Sequence, residues 1–180
     1  MDTIYLGQVN GTPLGTLWLA LSEEGLLALD WSASQSNLLA RLRRRVGTAI
    51  LRDDAARTAT AARQLGEYFD GQRRHFDLPI DWSGLPDFQR QVLQAVCAIP
   101  YGQTASYTEI ARRIGRPQAT RAVGRANATN PLPIIIPCHR IIAADGSLGG
   151  YSAPGGVALK TRLLQWEKAN RELIEAALCL

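Results

Sequence analysis

Histidine and cysteine are scarce in this sequence of 180 residues: two histidines, His75 and His139, and three cysteines, Cys97, Cys138 and Cys179. So few ligand-type side chains, none at Cys-x-x-Cys spacing, argue against a structural zinc site. An odd number of distant cysteines without a secretion signal points to reduced thiols rather than a disulfide framework. No apolar run approaches the roughly 18 residues of a membrane span. The opening Met1-Asp2-Thr3-Ile4 lacks the basic and apolar blocks of a signal peptide. A cytoplasmic chain with no membrane partner is the expectation. Hydrophobic residues at 46% and charged residues at 20% exclude disordered, collagen-like and coiled-coil classes. The length suits one large domain or two small ones.

Acidic residues are missing from one stretch in particular. Residues 1–85 hold 9 Arg or Lys against 10 Asp or Glu, whereas residues 86–180 hold 11 against 6, giving net charges of −1 and +5. Between Glu109 and Asp145 there is no acid, but Arg112, Arg113, Arg116, Arg121, Arg125 and Arg140 all fall there. That pattern is the footprint of phosphate contacts, or of a solvated helix face. Arg outnumbers Lys 18 to 2, which composition bias alone can produce.

The first third reads as a β-meander. Thr3–Asn10 and Leu14–Leu21 flank the turn Gly11-Thr12-Pro13, and Leu26–Trp31 follows Glu23-Glu24-Gly25. Asn37–Val46 and Ala55–Phe69 have helical periodicity, the second ending at Asp70-Gly71. Three strands and two helices predict a small α/β unit on an antiparallel sheet, with nothing catalytic in it. Residues 71–86, with Pro79, Gly84 and Pro86, read as a linker. Beyond it the chain turns helical, so the fold class is α+β, divided at 1–85 and 86–180. Asp87–Ile99 places Phe88, Val92, Leu93, Val96 and Cys97 toward a core. Ser106-Tyr107-Thr108-Glu109 is a capping box opening a helix to Ile114. Gly115-Arg116-Pro117 turns into a second helix over 117–127, with Pro117 at its first position. Helix, glycine turn, helix is the helix-turn-helix pattern. The small residues Ala119, Ala122, Gly124 and Ala126 allow that second helix a close approach to another surface, or close packing on a neighbouring helix.

Downstream, three prolines in seven residues stiffen Pro131-Leu132-Pro133-Ile134-Ile135-Ile136-Pro137, an apolar strand that delivers Cys138, His139 and Arg140. A glycine-rich loop, 145–152, follows. A thiol at the end of a rigid segment beside a histidine favours a reactive nucleophile over a core cysteine.

Asn130-Pro131, Pro137-Cys138-His139-Arg140, Gly150-Tyr151-Ser152 and the upstream Arg121-Ala122-Val123-Gly124 together resemble the O6-alkylguanine-DNA alkyltransferase family, from about Phe88 to Glu167. The resemblance implies a ribonuclease H-like scaffold over 1–85 and an alkyltransferase domain over 86–180. It implies direct, stoichiometric transfer of an alkyl group from guanine O6, and from thymine O4, to Cys138, with no cofactor. His139 matches the base, acting through water. That route fits because neighbours in extended backbone point to opposite sides. Glu167, on the helix 157–168, matches the orienting carboxylate. Tyr107 matches a donor to the guanine ring, and Asn130 a brace for the active-site turn. The Ser152 N–H, the Cys138 carbonyl and the Ile141 N–H match base contacts. Arg121 matches the finger that fills the stack when a nucleotide is flipped. Ala119, Ala122, Gly124, Arg125, Ala126, Pro133, Tyr151 and Lys160 complete the implied surface for substrate and DNA, which is met in the minor groove by a monomer. Two features depart from many relatives: the loop 152–159 lacks an early aromatic, and Asn127 is polar near the pocket. The zinc site of some animal members and the extra phosphotriester domain of adaptive-response regulators have no counterpart. Competing readings are an alkyltransferase-like lesion marker, a helix-turn-helix regulator and a cysteine hydrolase. Cys138, with His139 and Glu167 together, disfavours the first two. The third is disfavoured because its base would be the nucleophile's immediate neighbour.

Overall fold

Strands β1 (Thr3–Thr12), β2 (Gly15–Leu21) and β3 (Leu26–Asp30) form the expected meander, joined by a fourth strand that the sequence does not announce. The computed structural model describes residues 2–31 and 35–178; Cys179 lies outside them. β4 (Ile50–Asp53) pairs parallel to β1, giving the order β3-β2-β1-β4 and a mixed rather than purely antiparallel sheet. All four of its residues are exposed, so it carries no alternation to betray a strand.

Helices α1 (Gln35–Val46) and α2 (Ala55–Phe69) cover opposite faces of this sheet. Ile4, Leu6, Ala20 and Leu27 pack with Leu38 and Leu42 of α1. Gly7, on the other side of the pleat, lies under α2, where a Cβ would sit 2.1 Å from Thr58 Oγ1. With both faces covered, β3 is buried at every residue. The segment read as a linker is instead pinned to the β3 edge. Leu26 N–H donates to Pro79 O at 2.8 Å and Asp81 N–H to Leu26 O at 3.0 Å. Ser22 Oγ holds Asp81 at 2.5 Å, and the Arg45 guanidinium donates to the carbonyls of Leu27, Asp81 and Ser83. Chain geometry separates two compact units, Met1–Leu85 and Pro86–Leu180.

The second unit is mainly helical: α3 (Asp87–Cys97), α4 (Tyr107–Arg113), α5 (Thr120–Ala128) and α6 (Gly156–Leu178), with the short parallel pair β5 (Ala105–Ser106) and β6 (Ile141–Ile142). α3 buries Val92, Leu93 and Val96, but Cys97, at its last turn, is exposed and not in the core. The capping box is formed as expected: Ser106 Oγ accepts from Glu109 N–H at 3.1 Å, and Glu109 returns to Ser106 N–H at 2.6 Å. Gly115 ends the α4 turn at φ 70°, a left-handed angle that favours glycine. Pro117 does not open α5. It lies in a turn closed by Ala119 N–H to Arg116 O at 2.9 Å, and Ala119 is the N-cap. No helix among the described residues is long and apolar enough to cross a membrane.

Candidate active site

The segment after α5 is a tight buried loop, not a strand. Every residue from Pro131 to Ile141 is buried, Ile136 N–H returns to Leu132 O at 2.8 Å, and Ile134 takes φ 76°. A β-branched residue in the left-handed region costs about 1–3 kcal/mol, so the surroundings must enforce it. Asn130 does this from inside the loop. Its Nδ2 donates to Ile136 O at 2.8 Å and its Oδ1 accepts from Leu132 N–H at 2.9 Å. Pro133 is buried within the same loop.

A single 3-10 turn, Cys138–Arg140, then carries the reactive residues. Cys138 and His139 are therefore not in extended backbone, and the helical turn rather than strand alternation sets their directions. Behind the turn lies a fully buried ion cluster. His139 Nε2 and Glu167 Oε1 are 2.8 Å apart. Arg140 forks onto the same carboxylate through Nε and Nη2, each at 2.9 Å, and Gly102 N–H adds a bond at 3.0 Å. Arg140 is thus buried structure rather than part of a phosphate-facing row, its remaining Nη1 donating to Ile99 O at 2.6 Å.

Glu167 fixes the tautomer of His139. Burial works to raise the carboxyl pKa, but the bonds and charges of His139 and Arg140 outweigh it and hold Glu167 at about 2. An ionised carboxylate can only accept, so Nε2 carries the imidazole proton and Nδ1 carries the lone pair. Nδ1 is buried and has no hydrogen-bond partner among the described residues. Burial also pushes the His139 pKa down, against the pull of Glu167, so the ring is neutral at pH 7. The Cys138 thiol is raised by burial, opposed by Asn130, Tyr151 and the charge of Lys160. It rests as a thiol beside a free base.

A cavity of about 400 Å³ opens next to it, lined by Tyr107, Gly124, Asn127, Ala128, Gly150, Tyr151 and Ser152. That volume falls in the range of small-molecule sites. Cys138 Sγ stands 3.9 Å from the Tyr151 hydroxyl, which joins thiol to cavity. Gly124 and Gly149 lie beside the Tyr107 ring, where a Cβ would make ordinary contact at 3.7 Å or 3.6 Å. Ser152 Oγ ties its loop to Ala128 O at 2.6 Å.

Several expected contacts change place. Lys160 does not reach outward. It is fully buried, its ammonium donating to the carbonyls of Ile141 and Leu148, and burial lowers its pKa. The Ile141 N–H is not a free donor, because it bonds to Cys138 O. Ala126 packs inward with Val123, away from the exposed Arg121, Ala122 and Arg125. Ala119 and Gly124 are half-buried. Arg112, Arg113, Arg116, Arg121 and Arg125 remain exposed, so five of the six arginines of the acid-free stretch face solvent. The role of Arg140 is one that charge counting could not separate from theirs.

Two family models divide the chain as its geometry does. One, described as the ribonuclease-like domain of 6-O-methylguanine DNA methyltransferase, matches residues 6–82, and its DNA-binding domain matches 87–169. A methylated-DNA–protein-cysteine methyltransferase of Methanosarcina barkeri is 43% identical over 159 residues, covering 88% of this chain and 94% of the relative. The chain belongs to this methyltransferase family. The constitutive Bacillus subtilis member is 39% identical, covering 88% of this chain and 93% of its own length. A Mycobacterium tuberculosis homologue, solved in complex with DNA, superposes with a TM-score of 0.76 at 39% identity, covering 93% of this chain and 94% of that one. The antiparallel-dominated sheet followed by a helical half is the architecture of these alkyltransferases.

Proposed function

We propose that this chain repairs DNA by accepting an alkyl group from O6 of guanine onto Cys138. The reading rests above all on His139 Nδ1, a buried proton-free nitrogen without a partner among the described residues, one residue from a thiol that reaches the cavity-lining Tyr151 hydroxyl. The Cys138 proton passes through a water to Nδ1, and Glu167 stabilises the imidazolium that results. The thiolate then attacks the alkyl carbon. The S–C bond forms as the C–O6 bond breaks, and the electron pair returns to the guanine ring. The Tyr107 hydroxyl, on the cavity wall, donates to that ring as charge builds. A thioether has no hydrolytic exit, so each molecule acts once. O4-alkylthymine offers the same bond and is a second substrate.

The reacting atom is stacked inside a duplex, so the nucleotide must rotate into the cavity. Arg121, exposed in the first turn of α5, fills the gap from the minor groove, and the other exposed arginines bind phosphates. The chain does this as a monomer in the cytoplasm. Incubation with a duplex containing O6-methylguanine should add one CH2 to the Cys138 peptide, stoichiometrically, by mass spectrometry. DNA binding without that adduct would overturn the proposal and favour a lesion marker or a regulator.

A further inference from the structure

The carboxylate of Glu167 is shared between two segments. Oε1 accepts from His139 Nε2 at 2.8 Å and Arg140 Nη2 at 2.9 Å. Oε2 accepts from Arg140 Nε at 2.9 Å and from Gly102 N–H at 3.0 Å. The first three donors belong to the thiol turn, but Gly102 comes from the turn that follows α3. That turn is shaped to deliver its amide. Gln103 N–H closes on Pro100 O at 3.1 Å, and φ is negative at Tyr101 but 69° at Gly102, the signs of a type II turn. The same turn grips Arg140 at two further points. Ile99 O accepts from Nη1 at 2.6 Å, and the Tyr101 ring centre lies 5.6 Å from the guanidinium carbon. A Cβ at Gly102 would sit 3.2 Å from both Glu167 O and Arg171 Cδ, so the approach needs glycine. Glu167 is fully buried, and solvent has no access to replace the amide.

An N–H bonded to a carboxylate draws off part of its negative charge. The amide on Oε2 therefore competes with the imidazole on Oε1, and an imidazolium gains less from Glu167 than it would alone. His139 is also faced by Arg140 and Lys160, whose charges act in the same direction. Glu167 is faced in addition by the Tyr151 phenol, and the Arg171 stem lies beside Gly102. Resting on the transfer reading above, we infer that Gly102 is a positioning residue: its N–H holds Oε2 and shares the Glu167 charge, so that His139 keeps Nδ1 free of a proton.

The cleanest test is an amide-to-ester replacement at Gly102, glycolate for glycine, which removes the N–H and adds no side chain. The chain has two histidines, so an NMR titration can follow His139 with His75 as internal reference. His139 should move upward by roughly half a unit to one unit in the ester chain. Single-turnover transfer from free O6-benzylguanine should lose its acid limb at correspondingly higher pH, yet stay within about threefold of native at pH 8. Gly102→Ala, strained at φ 69° and crowded, should shift His139 the same way and lower the melting temperature as well. An ester chain that slows equally at every pH, or whose His139 is unmoved or moves down, would overturn the inference and leave transfer standing. Absence of transfer to the native chain would overturn the transfer reading, while the NMR shift would still decide what Gly102 does to His139.

Discussion

The two units of the chain treat charge differently, although the first also buries Asp30 and Asp81. In the first, leucines fill the interior (Leu17, Leu19, Leu26, Leu27, Leu29, Leu38 and Leu65 are fully buried) and ion pairs such as Arg57–Glu23 and Arg63–Glu67 lie at the surface. In the second, His139, Arg140, Lys160 and Glu167 are all buried behind a single thiol. Exposed pairs contribute little to stability, because water solvates the separated partners almost as well. Buried ions must be bonded on every side, and the bonding that satisfies them also fixes a tautomer and a proton-free nitrogen. The contrast separates a unit held by apolar packing from one whose interior is arranged for chemistry.

The largest effect should come from the thiol. Cys138→Ser should abolish transfer, by more than roughly 1,000-fold, because a neutral hydroxyl is a far weaker nucleophile than a thiolate. DNA binding, followed by fluorescence anisotropy, should be unchanged; measurable repair by this variant would refute the assignment of the nucleophile. Glu167→Gln should come next and should lower both activity and stability. It removes the charge that offsets buried Arg140, at a cost of roughly 3–5 kcal/mol, and transfer should slow roughly 100-fold as His139 loses its orienting partner. Glu23→Gln, in the exposed pair with Arg57, should leave the melting temperature essentially unmoved. Equal losses in the two variants would break the contrast between the units.

Much of this contrast was legible in the sequence, and what was not has identifiable causes. Pro137-Cys138-His139-Arg140 marks the site through its resemblance to the alkyltransferase family, and Glu167, 27 residues beyond Arg140, was placed by that resemblance alone. The capping box at Ser106 and the helix end at Gly115 are local devices, visible wherever side chain and backbone meet within one turn. β4 could not be read, since four exposed residues on a parallel edge carry no pattern. The strand expected before Cys138 was wrong for a different reason. An apolar run specifies burial, not backbone angle, and here Asn130 bends it into a loop through Ile134. Lys160, Arg140 and Cys97 show the same limit, because composition counts a charge or a thiol without saying which way it faces.

A smaller effect should come from Arg121. Arg121→Ala should slow repair of duplex O6-methylguanine by roughly 10- to 100-fold, the scale of a few kcal/mol for extruding a base. Reaction with free O6-benzylguanine, which needs no flipping, should hardly change. Equal loss on both would place Arg121 in the support of the site instead of on the DNA.

The mildest perturbation, acidification, should separate the units most finely. His139 has a native pKa below its ordinary 6.5, so the unfolded chain takes up that proton first and the native state loses stability as pH falls below 6.5. Glu167, at about 2 against an ordinary 4.5, contributes stability that is whole above pH 4.5 and drains away as pH falls toward 2. Both groups lie behind the thiol, so the loss should begin there. Hydrogen exchange followed by mass spectrometry at pH 7, 5.5 and 4 should show residues 131–142 and 156–171 losing protection ahead of β1 to β3. Transfer by the folded chain should slow only at lower pH than the onset of that loss, once Nδ1 itself takes up a proton and can no longer take one from Cys138. Glu23 and Glu67 also have lowered pKa values, through bonds to Tyr5 and to Arg73 respectively, but Glu23 is exposed and Glu67 only half-buried, so their titration is cushioned by water. If β1 to β3 opened first, the exposed pairs would be contributing more than their setting allows, and the division between a packed unit and a charged one would have to be redrawn.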